Sequence, residues 1–241
     1  MTKKIRKVTK VEELPNYGKD LLSLSFPFES KMKAVKGALA FIKDLIKELG
    51  LKKFIKILRK SRKEFEEAKQ LDWSRMNGKG ISQKNLDFII HKMVLAKVMA
   101  DEMGLEKASE IRRRFSDKTT YFVMEGMFAL PEVFKRCGDG DFFRPFKQYY
   151  IAMMDASVKA GLFEYKVIED NENSFQINVT YCAFAEASKI LEAPETCYYS
   201  VCYGDEVFFP RLCEKIDFEY NRTATIATGK SFCDDRFTRK K

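Results

Sequence analysis

The chain predicts an α+β fold: a helical N-terminal half followed by a β-β-α-α-β-β region with an antiparallel sheet. Apolar residues recur at helical spacing through most of residues 31–160. At Leu162 the pattern changes to strand-like alternation, and a second alternating pair returns after two short helical runs. Length and composition agree, since 241 residues with 45% apolar and 33% charged side chains suffice for a real core.

Residues 1–28 are broken by Pro15, Gly18 and Pro27, and Leu21–Phe26 reads as a short strand or an apolar arm. From Lys31 to Leu49 a stripe of Met32, Val35, Leu39, Ile42, Leu45, Ile46 and Leu49 predicts a helix with that stripe facing inward. Gly50 stops it. The next helix turns Leu51, Phe54, Ile55 and Leu58 inward and Lys52, Lys53, Lys56, Arg59 and Lys60 to solvent. Residues 76–80 read as a loop, and Ser82 caps a third helix running to Met103. That helix carries the only histidine, His91, beside its apolar stripe. A fourth helix from Leu105 bears Arg112-Arg113-Arg114, read as a solvated face. Pro131 interrupts the apolar run Tyr121–Leu130, and Cys137–Asp141 reads as a turn rather than a calcium loop, lacking the remaining ligands. The fifth helix, 142–160, is lined by aromatics and methionines, which at this spacing signal core.

Beyond Gly161 the strands are 162–168 and 174–180, joined by a polar hairpin, then helices 182–191 and 197–209. Strands 216–220 and 231–238 close the chain. We therefore separate residues 1–160, mainly helical, from 161–241, which carry the cysteine motifs, and read the two as one integrated domain.

The charge is uneven. Residues 1–63 hold 18 Lys/Arg against 6 Asp/Glu, while the remainder holds 26 against 29. A basic segment can meet nucleic acid or an anionic membrane, but here it matches solvated helix faces, so no nucleic acid is expected. No apolar run is long enough to span a membrane and no signal region follows the basic N-terminus, which predicts a cytoplasmic protein with reduced thiols. The oligomeric state is not legible.

Five of the six cysteines lie within the last sixty residues. Cys182 is the leading nucleophile candidate and the thiol expected to be most reactive: it sits where a strand passes into a helix and free amides favour a thiolate, unless it only fills that junction. Cys202 and Asp205, three apart on one helical face, suit a thiol with its proton carrier, or a pair of metal ligands. Without a Cys-x-x-Cys and with one histidine, the zinc signal is weak. Cys233 and Asp234 point to opposite faces of a regular strand, with Asp235 on the Cys233 side. The planar fork of Arg222 suits a substrate carboxylate, or a surface ion pair. Cys197 and Cys213 read as packing residues and Cys137 as incidental.

These residues also carry a resemblance. Asn178-Val179-Thr180 with Cys182, then Cys202 with Asp205, then Arg222, Thr223, Thr225, Ala227 and Gly229, then Cys233, Asp234, Arg236 and Phe237 match one family pattern. They resemble the L-2-amino-thiazoline-4-carboxylate hydrolases over roughly residues 145–238. The chain departs at Asp235, where that family usually has an aromatic. The resemblance implies hydrolysis of a small cyclic amidine or thiazoline, with Cys182, Cys202, Asp205 and Cys233 in the reaction and Arg222 and Asp234 holding substrate. It implies no cofactor. The residues themselves leave open a non-enzymatic pocket that binds a small ligand, or a metal at the cysteine cluster.

Overall fold

The computed structural model of the chain describes residues 8–25, 28–128, 131–216 and 218–240. Helices α1 (Phe28–Leu49) and α2 (Leu51–Ala68) form a hairpin about Gly50, which takes φ 77° where L side chains are disfavoured. A short α3 (Ser74–Asn77) replaces part of the expected loop, and α4 (Gln83–Met103) starts at Ser82, whose hydroxyl accepts from the Asn85 amide. Helices α5 (Leu105–Met127), α6 (Pro131–Cys137) and α7 (Phe143–Lys159) complete the helical half. Pro131 therefore begins a helix instead of only ending one, as its fixed φ allows. Of the expected strand or arm at 21–26, Phe26 lies outside the described residues. Leu21–Ser25 lies against the body through the Leu21 amide, which donates to Ser157 Oγ, and the buried Leu24.

The orientation of α1 departs from the expected stripe. Phe41 and Leu45 are buried, whereas Met32, Val35, Leu39 and Ile42 are exposed. The cause is a close crossing on α5: a Cβ on Gly37 would stand 2.8 Å from the Lys118 carbonyl oxygen. Small residues let the two backbones approach, and that approach turns the bulkier stripe outward. The arginine run of α5 divides similarly. Arg113 is exposed and Arg114 pairs with Glu48 at 2.6 Å, but Arg112 turns inward to Ser200 Oγ.

Strands β1 (Phe163–Asp170) and β2 (Ser174–Cys182) form the expected hairpin. Then come α8 (Ala183–Ile190), a 3-10 turn at Pro194–Thr196, a π-helical turn at Tyr198–Cys202, and α9 (Tyr203–Cys213). The chain closes with β3 (Phe218–Asn221) and β4 (Cys233–Arg239). The sheet is antiparallel throughout, in the order β1-β2-β4-β3, so β4 inserts between the hairpin and β3. Helices α7 and α9 cover one face, where Phe237 of β4 meets Phe146, Tyr150 and Phe209 at ring distances of 5.0–5.7 Å. Burying such side chains contributes roughly 1.5–3 kcal/mol each. This aromatic layer is the floor on which the cysteine segments rest.

One glycine ties the helical half to the sheet. Gly161 has φ 72°, and a Cβ there would fall 2.7 Å from both the Ile81 nitrogen and the Lys79 oxygen. Gly161→Ala is expected to destabilise the protein by about 1–3 kcal/mol, from the strained conformation and the displaced backbone. In a thermal melt that is a drop of several degrees. An unchanged melting temperature would show that the loop yields freely.

Candidate active site

The register of β4 on β2 decides which side chains meet. Cys233 lies opposite Val179, Asp235 opposite Ile177 and Phe237 opposite Phe175, which puts all three on the helix-covered face. Asp234 lies opposite Asn178 on the other face. On β2 the pairing with β1 slips at Thr180: Glu164 faces Tyr181, while the next residue, Tyr165, faces Val179. This bulge shifts the alternation by one residue, so that Cys182 is buried and Thr180 is exposed. Without it, Cys182 would take the phase of Asn178 and point away from the thiols.

Cys202 arrives from the other side, at the last position of the π turn. Such turns concentrate at functional sites because they offset side chains from the regular helical face. Here the turn brings Cys197, five residues earlier, against Cys202. Thr225 links the strands to this turn: its hydroxyl donates to Cys202 Sγ at 3.6 Å and accepts from Cys233 Sγ at 3.4 Å. The Ile226 amide donates to Cys233 Sγ at 3.2 Å. Cys182 feels the charge of both Cys202 and Cys233, and Cys233 that of Cys202. All six cysteines are free thiols.

The three central thiols differ in acidity. Burial pushes Cys182 up to about 12, despite its place at the start of α8. Its sulfur makes no cap hydrogen bond, and the nearby Ala185 and Phe184 amides offset only part of the burial. Burial also raises Cys233. Cys202 is lowered, first by the Cys197 thiol and then, against burial, by Thr225 and Arg222. Cys197 is raised in turn, chiefly by the same contact. The expected advantage of the helix start is thus outweighed at Cys182, and the more acidic thiol is Cys202.

Beside the thiols lies an ionic cluster. Arg222 donates through Nη2 to Asp205 at 2.6 Å and to Asp235 at 2.6 Å, through Nε to Asp235 at 3.0 Å, and through Nη1 to the Cys202 carbonyl at 3.1 Å. Asp235 also accepts from Tyr220 at 2.8 Å and Tyr150 at 3.2 Å, so this buried carboxylate is fully bonded. Burial opposes the Arg222 charge, but Asp235 and Asp205 outweigh it and keep the guanidinium protonated. Burial raises Asp205 against the pull of Arg222. The Asp205 side chain keeps 31% of its surface exposed and that of Asp235 only 6%, so Asp205 is the carboxylate a ligand can reach. Asp234 is turned to its own loop, accepting from the Thr223 amide at 2.9 Å and hydroxyl at 2.7 Å and from the Ala224 amide at 2.6 Å. That bonding shapes the 223–226 segment from which Thr225 reaches the thiols.

Sequence reasoning did not single out Thr225, Cys197, Tyr150 or Tyr220 as partners in one site. The first was visible inside the threonine motif. The others belong to this site only through packing, for nothing in a helical aromatic or a lone cysteine announces its neighbour. The single histidine, His91, is exposed and meets Phe65 edge-on at 5.4 Å, away from these groups. Among the described residues no group of three or more His, Cys, Asp or Glu has metal-binding geometry, because Thr225 and backbone amides stand between the sulfurs. A groove of about 540 Å³ at the β3 edge, lined by residues including Pro210, Cys213, Tyr220 and Arg236, contains none of the candidate residues. The chemistry argues for the thiols over that groove. Among the described residues no helix is long and apolar enough to cross a membrane.

Neither the curated proteins nor the solved structures contain a match to the chain. A family model described as L-2-amino-thiazoline-4-carboxylic acid hydrolase matches residues 88–237, from α4 to the end of the buried part of β4. That span takes in every thiol, carboxylate and arginine of the cluster, and it places this chain in the L-2-amino-thiazoline-4-carboxylic acid hydrolase family.

Proposed function

We propose that the chain is a hydrolase that opens a small cyclic amidine of the thiazoline type, with Cys202 as the attacking thiolate. The observation that carries this reading is the Thr225 hydroxyl donating to Cys202 Sγ, with the Cys197 thiol acting on the same sulfur and a partly exposed Asp205 on the next turn. In this scheme the thiolate adds to the ring carbon between nitrogen and sulfur. Asp205, whose hold on a proton burial strengthens, passes one to the leaving ring heteroatom. The resulting carboxylate then takes a proton from the water that releases the thiol, so that one water is consumed and both groups are restored. Cys233 stays protonated and donates through Thr225, while Cys182 supplies a neutral wall. Arg222 aligns Asp205 and, through the Cys202 carbonyl, the π turn.

Alkylation tests the assignment without a substrate. With iodoacetamide followed by peptide mass analysis, Cys202 should label ahead of Cys182, and its rate should reach a plateau at lower pH. Cys182, pushed up to about 12, should still be gaining rate at the alkaline end. Faster labelling of Cys182 would move the nucleophile to the helix start.

A further inference from the structure

Two cations stand beside this site without a carboxylate. Lys92 of α4 holds its ammonium over the Phe184 ring, 5.5 Å from the centroid. Arg112 of α5 donates from Nε to Ser200 Oγ at 3.2 Å, which fastens it to the π turn two residues before Cys202. Other cations of the same helices are paired: Lys97 with Asp101, Lys107 with Glu110 and Arg114 with Glu48. Among the described residues Lys92 and Arg112 make no ion pair, and the terminal nitrogens of Arg112 make no protein hydrogen bond. Neither side chain has a sealed, unsatisfied nitrogen, and both are half-buried.

The placement is unfavourable as it stands. Burial, and then the Arg112 charge, hold Lys92 down to about 8, while Cys197, Cys202 and Asp205 pull it the other way. Burial alone holds Arg112 down to about 10. The Arg112 charge acts against that of Lys92, and an anion held by these cations relieves that repulsion and compensates their burial. Asp205 is the carboxylate acting on Lys92, but it is already bonded to Arg222. Arg222, the carboxylate holder expected from sequence, is engaged with Asp205, Asp235 and the Cys202 carbonyl. That leaves Lys92 and Arg112 as the cations near the π turn and α8 that no carboxylate is bonded to.

We propose that Lys92 and Arg112 are the carboxylate-binding pair of this site, gripping the acid group of the substrate while its ring lies against Cys202. The inference rests on the hydrolase reading for its substrate, but the anion site itself does not require turnover.

The probes are 2-aminothiazoline-4-carboxylate and 2-aminothiazoline, which lacks the acid group. They are titrated calorimetrically into the full chain and into Arg112→Met and Lys92→Met, all in a Cys202→Ser background that keeps them intact. The parent should prefer the carboxylated probe by about 10- to 100-fold, the size of a charge-assisted grip. Each Met variant should lose most of that preference, leave affinity for 2-aminothiazoline unchanged, and melt no lower than its parent, because an unpaired buried cation has been removed. With Cys202 restored, KM for the carboxylated probe should rise while kcat is largely kept. Should a Met variant fail to fold, Arg112→Lys and Lys92→Arg serve instead: the first weakens the preference by losing the fork, and the second keeps it. A preference unchanged in the folded variants, or absent from the parent, overturns the proposal. Ring opening by the wild-type chain with no such preference would leave the hydrolase reading standing and this one failed. A preference that depends on Arg112 without any ring opening would do the reverse.

Discussion

Replacing Cys202 by serine is expected to lower kcat/KM for ring opening at least about 1,000-fold, or roughly 4 kcal/mol of transition-state stabilisation. The melting temperature should hardly move. Serine keeps the hydroxyl-sized contact to Thr225 but cannot ionise near neutral pH, so the nucleophile is lost while the packing survives. The effect should be specific among the cysteines. Cys182→Ser removes a thiol that burial keeps protonated, and should lower the rate by no more than about 10-fold. The comparison of the two variants in a single ring-opening assay decides the matter. A Cys202→Ser protein with near wild-type turnover would eliminate the thiolate mechanism.

Arg222→Met should destabilise the fold by about 3–5 kcal/mol, since it leaves the Asp235 carboxylate buried without its cation. In a chain of this length that corresponds to a fall of roughly 10 °C in Tm. Tyr220 and Tyr150 remain as donors but cannot neutralise the charge. Adding Asp235→Phe should recover part of the loss, because the double variant no longer buries an uncompensated charge and leaves only the Tyr150 and Tyr220 hydroxyls to find new partners. The double-mutant cycle would then show a coupling of the same order as the single loss. Additive effects, with no recovery, would mean that Arg222 and Asp235 stabilise the fold independently despite the 2.6 Å contact.

The sequence by itself determined the class of the fold and the order of its elements. Periodicity is a local property, and the 3.6-residue stripes of α4 and α7 and the alternation of β1 and β2 are written in neighbouring residues. It also determined the family, because the cysteine, aspartate and threonine motifs lie in short segments that keep their spacing. Only the tertiary structure decided which side of α1 packs: Met32, Val35, Leu39 and Ile42 looked buried, but the close crossing at Gly37 buried the side of Phe41 and Leu45 instead. Tertiary structure likewise turned Arg112 inward from a run that reads as solvated. The acidity of the thiols was beyond sequence for the same reason. A helix start favours a thiolate at Cys182, but burial acts through every surrounding atom and outweighs it there. At Cys202, hydrogen bonds from residues brought together by the fold tip the balance the other way. Local patterns specify elements. The bulge at Thr180, the π turn before Cys202 and the register of β4 specify which side chains meet, because each depends on contacts that form only when the chain closes on itself.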